Sequence, residues 1–189
     1  MRLLHSRPGE TLRHAFARRT AQFGLIFGMC LAVNLTALAT TTSLVAPGSV
    51  WRYLDNGSNQ NTAWRAPGFV DGAWLTGSAQ FGYGDGDEVT VVSYGSDSFN
   101  KHITTYFRRT FSCSDPAMFT ALVIRLLRDD GAVVYLNGTE VARSNLPTGT
   151  VDYLTTAPSA VEDNTFHQFQ ADPAPVSYTH LTLPTNREV

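Results

Sequence analysis

The chain has 189 residues, 43% of them hydrophobic, with 15 Gly and 9 Pro, enough for one globular domain with a sizeable core plus additional segments. Its formal net charge is −2, but Arg2, Arg7, Arg13, Arg18 and Arg19 all precede the first apolar run, and Thr40 to Pro175 holds 8 Lys+Arg against 14 Asp+Glu, net −6. Such an acidic surface repels phosphate backbones and argues against a nucleic-acid partner; the two cysteines, Cys30 and Cys113, offer no disulfide framework.

Residues 1–20 are basic, residues 23–39 are apolar, and Ala37-Leu38-Ala39 supplies a small-x-small cleavage pattern. Residues 1–39 therefore read as a signal peptide, helical in its apolar part, and predict a secreted, periplasmic or cell-surface product. Asn34 and Thr36 leave a core of about 11 apolar residues, short of the ~20 that span a bilayer, so no membrane association is expected after cleavage. Cleavage leaves Cys113, read as a small buried hydrophobe rather than a reactive thiol.

Residues 40–49 form a polar linker. Ser49 to Asp55 then alternates apolar and polar side chains with period two, which predicts a half-buried strand with Trp51 and Tyr53 on one face. Asp71-Gly72-Ala73-Trp74 predicts a short helical turn that plants Trp74 on the core. Core packing accounts for Trp51 and Trp74, whereas Trp64, between Thr62 and Arg65, is a candidate for stacking on a ligand.

In Phe81-Gly82-Tyr83-Gly84-Asp85-Gly86-Asp87-Glu88, three glycines alternate with an aromatic residue and two aspartates. Calcium takes about six to eight oxygens, and Asp85, Asp87 and Glu88 with backbone carbonyls could supply several to a structural ion. No acidic residue stands at the closing position of an EF-hand, and a solvated Gly-Asp turn is the competing reading. The polar loop of residues 93–102 carries Tyr94, a second candidate for ligand stacking.

Thr104 to Cys113 predicts a strand with Phe107, Arg109, Phe111 and Cys113 on one face and Tyr106, Arg108, Thr110 and Ser112 on a solvent face. Phe119 to Arg128 predicts another, with Leu122, Ile124 and Leu126 inward. From Leu126 to Arg143 the chain reads as an antiparallel meander, with hairpin turns at Asp130-Gly131 and Asn137-Gly138, dipeptides that tolerate positive φ. Asn137-Gly138-Thr139 also matches a glycosylation acceptor, but its position reads as turn chemistry. A further strand begins over Thr165 to Phe169.

These short runs between Gly, Pro, Asn and Asp turns predict an all-β protein, an antiparallel β-sandwich over residues 50–175. Trp51-Arg52-Tyr53, Asp71-Gly72-Ala73-Trp74, Phe81-Gly82-Tyr83-Gly84-Asp85, Thr105-Tyr106-Phe107-Arg108 and Asp129 to Pro147 resemble, in that order, a galactose-binding-domain-like jelly-roll module of secreted bacterial multidomain proteins. The resemblance covers Val50 to Phe169 and implies closing strands beyond that point. Residues 176–189, however, resemble a translated sequencing adapter; read as a non-native tail, with a genuine tail as the alternative, they leave the jelly roll incomplete at the C-terminus.

No catalytic constellation stands out. Outside the signal peptide and the tail, the histidines are His102 and His167, neither in a metal-gathering spacing. There is no nucleophile elbow. Asp129 and Asp130, adjacent on an extended chain, point to opposite faces and cannot share a proton. The chain itself is therefore expected to be no enzyme but a non-catalytic recognition or spacer module, with a glycan or neighbouring domains as partners. The alternative implied by the resemblance is an N-terminal accessory domain of a secreted hydrolase such as a calcineurin-like metallophosphoesterase; an adhesive surface protein is a third reading. An incomplete sandwich exposes unpaired backbone and apolar side chains, so residues 40–175 alone should aggregate, and a monomeric, cooperatively melting preparation would contradict this expectation.

Overall fold

A computed structural model describes residues 40–161, 164–177 and 180–186, with Ser177 and His180–Asn186 described through their backbone only. The signal peptide expected over residues 1–39 lies outside the described residues. The strands, in chain order, are β1 (Val50–Leu54), β2 (Leu75–Ser78), β3 (Phe81–Gly82), β4 (Thr90–Val91), β5 (Thr104–Thr110), β6 (Leu122–Leu126), β7 (Gly131–Leu136), β8 (Thr139–Ser144), β9 (His167–Ala171) and β10 (His180–Asn186). Helical structure among the described residues is confined to single 3-10 turns at Ala63–Arg65, Pro116–Met118 and Ala174–Ser177. No helix among them is long and apolar enough to cross a membrane.

The protein is all-β. Six strands form one antiparallel sheet in the order β2-β1-β5-β10-β7-β8, β6 pairs with β9 antiparallel, and β3 pairs with β4 in a short parallel ladder. The alternation of β1 places Trp51 and Tyr53 in one buried cluster with Phe107 and Val92, and Phe81 packs against it. Along β7, Ala132 and Val134 meet Leu126 and Ala142, backed by Ile124 and Phe169 from the β6–β9 pair. This is the sandwich contact, with a second layer made of short separate ladders.

The opposite face of the large sheet is covered by coil. Tyr106, Val133 and Tyr135 pack against Trp64, Trp74, Leu146, Val151 and Ala157. Trp64 meets Tyr106 edge-on at 5.0 Å and Tyr135 at 5.7 Å between ring centroids, contacts worth ~0.5–1.5 kcal/mol each beyond their buried area. All six residues of β7 are consequently buried.

Three expectations are corrected. The face of β5 assigned to solvent is solvated only toward its end, at Thr110 and Ser112: Tyr106 and Arg108 are as deeply buried as Phe107, because the coil of residues 61–74 lies over them and supplies partners for the guanidinium. Asp130-Gly131 is not a hairpin turn, since β6 pairs with β9 rather than with β7; Gly131 is needed for close approach, as a Cβ there would stand 2.6 Å from the Asn145 carbonyl oxygen. Finally, residues 180–186, set aside as part of a tail outside the fold, form β10 and pair on both sides within the large sheet. The Asn137-Gly138 turn between β7 and β8 is as expected, with φ of 52° and 84°.

Arg108 fastens the coil to the sheet. Its Nε donates to the Asp71 carboxylate at 2.9 Å, its remaining nitrogens donate to the carbonyls of Trp64 and Ala66, and its plane lies 5.1 Å from the Phe69 ring centroid. Asp71 also faces Arg52 at 3.4 Å. Removing one partner of a buried pair strands the other without compensation, at ~3–5 kcal/mol. Asp71→Ala should therefore lower the stability measured by urea unfolding by about that amount, and Asp71→Asn, which keeps an acceptor oxygen, by clearly less. Equal small losses for both would show that the ion pair does not hold the coil.

Candidate functional site

The coil that carries Trp64 also builds a concavity. Asn61, Arg65, Tyr106, Tyr135, Asp152 and Tyr153 line it, with Trp64 beneath, and it has room for water-sized occupants of about 20 Å³. That admits a single water or a hydroxyl group. Arg65 donates to the Val151 carbonyl at 3.4 Å and lies 4.2 Å from the Tyr135 ring centroid. Its Nε is buried without a hydrogen-bond partner among the described residues. The Tyr106 hydroxyl accepts from the Gln60 N–H at 3.5 Å. Burial pushes the Tyr106 and Tyr135 phenols above their ordinary pKa, so both remain neutral donors at physiological pH.

Trp64 itself is 1% exposed and its indole N–H donates to the Asn61 carbonyl at 3.1 Å. Its ring packs edge-on against Tyr106 and Tyr135, with the Arg65 guanidinium carbon 5.8 Å from its centroid, so it lines the pocket from beneath rather than presenting a face to solvent. Tyr94 is half-buried and pairs with Tyr83 at 4.9 Å between centroids. The Lys101 ammonium stands 5.1 Å from the Tyr83 centroid and 5.3 Å from that of Tyr94, a cation–π arrangement shared by two rings.

The three acidic residues do converge. Asp85, Asp87 and Glu88 can each place one carboxylate oxygen within 4.8 Å of the others. Glu88, however, accepts from the Asp85 and Gly86 N–H groups with its two oxygens, both at 2.9 Å, and Asp87 accepts from the Gln80 amide at 3.3 Å. The loop thus closes on itself through its own carboxylates. His102 is equally committed: its Nδ1 lies 2.8 Å from the Asp55 carbonyl oxygen, and its ring fills the space that a Cβ at Gly57 or Gly95 would need.

Sequence reasoning missed Arg65, Tyr135 and Tyr153 as pocket residues and Lys101 as the partner of Tyr94. Arg65 adjoins a flagged tryptophan, which was the available signal; Tyr135 sits in an apolar run that reads only as core.

No family model matches the chain, and no curated protein matches it. Among solved structures it is similar to a β-glucuronidase from glycoside hydrolase family 2, at 19% identity over 79% of this chain and 15% of that one, with a TM-score of 0.47. It is also similar to a Lactobacillus rhamnosus β-glucuronidase, at 17% identity over 78% of this chain and 24% of that one, TM-score 0.47. A third is a Ruminococcus gnavus β-glucuronidase, at 11% identity over 75% of this chain and 20% of that one, TM-score 0.43. The chain spans less than a quarter of the length of each.

The self-capped acidic loop has a pH signature. Hydrogen bonds from the Asp85 and Gly86 backbone hold the Glu88 carboxyl below its ordinary pKa. A lowered pKa means that the stabilisation is complete above the unfolded-state value, near 4.5, and is lost as pH falls through the lower folded value. Acidification through that window should open the loop, and Glu88→Gln should weaken the caps already at neutral pH. Protection factors of the Asp85 and Gly86 amides, taken relative to the intrinsic exchange rate at each pH, would report both; protection that ignores pH and substitution alike would contradict the assignment.

Proposed function

We propose that this chain is a non-catalytic recognition module of a secreted or cell-surface protein, and that it engages a saccharide through the Arg65 pocket. The observation that carries the reading is the meeting of aromatic walls and polar groups in one small concavity, with Arg65 Nε left without a partner. Sugars are held by this combination, ring faces against their C–H surfaces and a few fixed donors and acceptors for their hydroxyls. A space of water size suits one hydroxyl, which on entering inherits the hydrogen bonds a water would make. Arg65 can donate to such a group.

His102, Glu88 and Asp71 are held in structural roles, on a carbonyl, on the residue's own loop and on Arg108 respectively. This supports a module that binds rather than one that reacts.

A panel of mono- and oligosaccharides titrated by calorimetry and NMR tests the reading. The expected result is binding to at least one sugar with shifts centred on Arg65 and residues 151–153, weakened about tenfold or more by Arg65→Ala, the loss of roughly one charge-assisted hydrogen bond. Tyr94→Ala should leave it unchanged; loss with that variant instead would move the site to the Tyr83–Tyr94 pair. Flat traces across the panel would overturn saccharide recognition.

A further inference from the structure

The sequence contains two Asn-Gly pairs, Asn56-Gly57 and Asn137-Gly138, and the fold treats them differently. Where glycine follows asparagine, no Cβ shields the peptide nitrogen between them, and that nitrogen can reach the side-chain amide carbon. Asn137-Gly138 is the turn of the β7–β8 hairpin, pinned by the pairing of Leu136 with Thr139, and the Asn137 side-chain amide donates to the Pro175 carbonyl. Asn56 is exposed and lies in coil just beyond the end of β1. Its Oδ1 accepts from both the Ser58 N–H at 3.0 Å and the Ser58 hydroxyl at 2.6 Å, and the Gln60 amide donates in turn to that hydroxyl at 2.8 Å. Donors fixed around an oxygen stabilise the negative charge that develops on it during attack at its carbon. At Asn56 two of them converge on the one oxygen that gains charge when Cγ is attacked.

We propose that Asn56 is a site of spontaneous covalent modification, cyclisation onto Gly57 followed by hydrolysis, and that the hairpin protects Asn137 from the same reaction. The Gly57 nitrogen bonds to Asn56 Cγ and yields its proton, the Cγ–Nδ2 bond breaks, and Nδ2 departs as ammonia, which leaves a succinimide ring. Water then opens the ring at either carbonyl carbon. One route returns an aspartate in the ordinary backbone, the other an isoaspartate whose chain runs through Cβ and Cγ. Nothing is oxidised or reduced, and water is the co-reactant. The isoaspartate inserts a methylene immediately before Gly57, where the packing is close: a Cβ on Gly57 would already stand 2.6 Å from the His102 ring. His102 in turn meets the Asp55 carbonyl through Nδ1 at 2.8 Å, so the modification acts on the contact that joins the end of β1 to the loop of residues 93–102.

The test incubates the full chain in mildly alkaline buffer, folded and in guanidinium chloride, and follows the exchange of amide nitrogen for oxygen at both pairs by peptide mapping and mass spectrometry. The expected result in the folded chain is conversion of Asn56, with isoaspartate among the products, at least about fivefold faster than that of Asn137, the factor that one hydrogen bond supplies. In guanidinium chloride the two pairs should convert at similar rates, which assigns the difference to the fold. Ser58→Ala removes one of the two donors and should slow conversion at Asn56 about fivefold, and the NMR signals of the His102 ring should move as isoaspartate accumulates. Equal rates at the two sites in the folded chain, faster conversion at Asn137, the same disparity in denaturant, a Ser58→Ala rate equal to that of the native chain, or His102 signals indifferent to the product would overturn the inference.

Discussion

The charge on Arg108 governs the rest of the structure. A guanidinium at 3% exposure in the interior of a sheet must be neutralised and hydrogen-bonded or the strand that bears it cannot be buried. Asp71 and the carbonyls of Trp64 and Ala66 meet that demand. The coil of residues 61–74 is thereby bound to the sheet by specific polar contacts before its aromatic residues contribute. Once it is placed, Trp64 and Trp74 close over Tyr106, Val133 and Tyr135, and the bland apolar cluster follows from the ionic one. The pocket also inherits its position from this contact: Arg65 follows directly on the residue whose carbonyl Arg108 holds.

Much of the fold was legible because it is local. The two-residue alternation of β1 and β6 and the Asn137-Gly138 turn are written in neighbouring residues, and so is the convergence of Asp85, Asp87 and Glu88, which share one loop. What could not be read depends on partners distant in the chain. Arg108 looks like a solvent-facing residue until Asp71 is brought to it, and Trp64 looks like an exposed platform until Tyr106 and Tyr135 enclose it. Gly131 resembles a turn glycine, yet its requirement comes from the Asn145 carbonyl. The place of His180–Asn186 in the sheet was hidden for a different reason, since the stretch resembles a translated sequencing adapter and is set apart from the fold on that reading; its mid-segment proline would in any case argue against a central strand.

The placement of the charges bears on the acidic character of the module. Arg108 and Arg128 are buried, the latter donating to Ser144 Oγ at 2.8 Å, Arg65 turns toward Tyr135, and Lys101 rests over two rings. Much of the positive charge in the sequence is therefore directed inward or held against aromatic faces, while Asp85, Asp87, Asp97, Asp115 and Asp172 remain exposed. Asp55 and Asp130 are buried alongside Arg108 and Arg128, so the field that an approaching partner meets keeps the negative sign of the net −6 over Thr40 to Pro175. Neutral polyols are indifferent to such a field, whereas polyanions are repelled by it.

The strand order of the large sheet bears on how the chain reaches this state. Among the described strands, β7 and β8, joined by the Asn137-Gly138 turn, and β3 and β4 pair at short separation, and β1 and β2 somewhat farther apart. Tyr53 must find Phe107, and Ile124 must find Phe169, across long intervening stretches. Each such pairing demands that a large loop close before its contacts repay the lost chain entropy. The β7–β8 hairpin, whose first strand is buried along its whole length in the finished molecule, is the natural nucleus, and the remaining strands assemble around an element whose apolar surface stays exposed until they arrive. Folding of this domain is accordingly slow, and its period of greatest vulnerability to aggregation falls between formation of that hairpin and arrival of its neighbours.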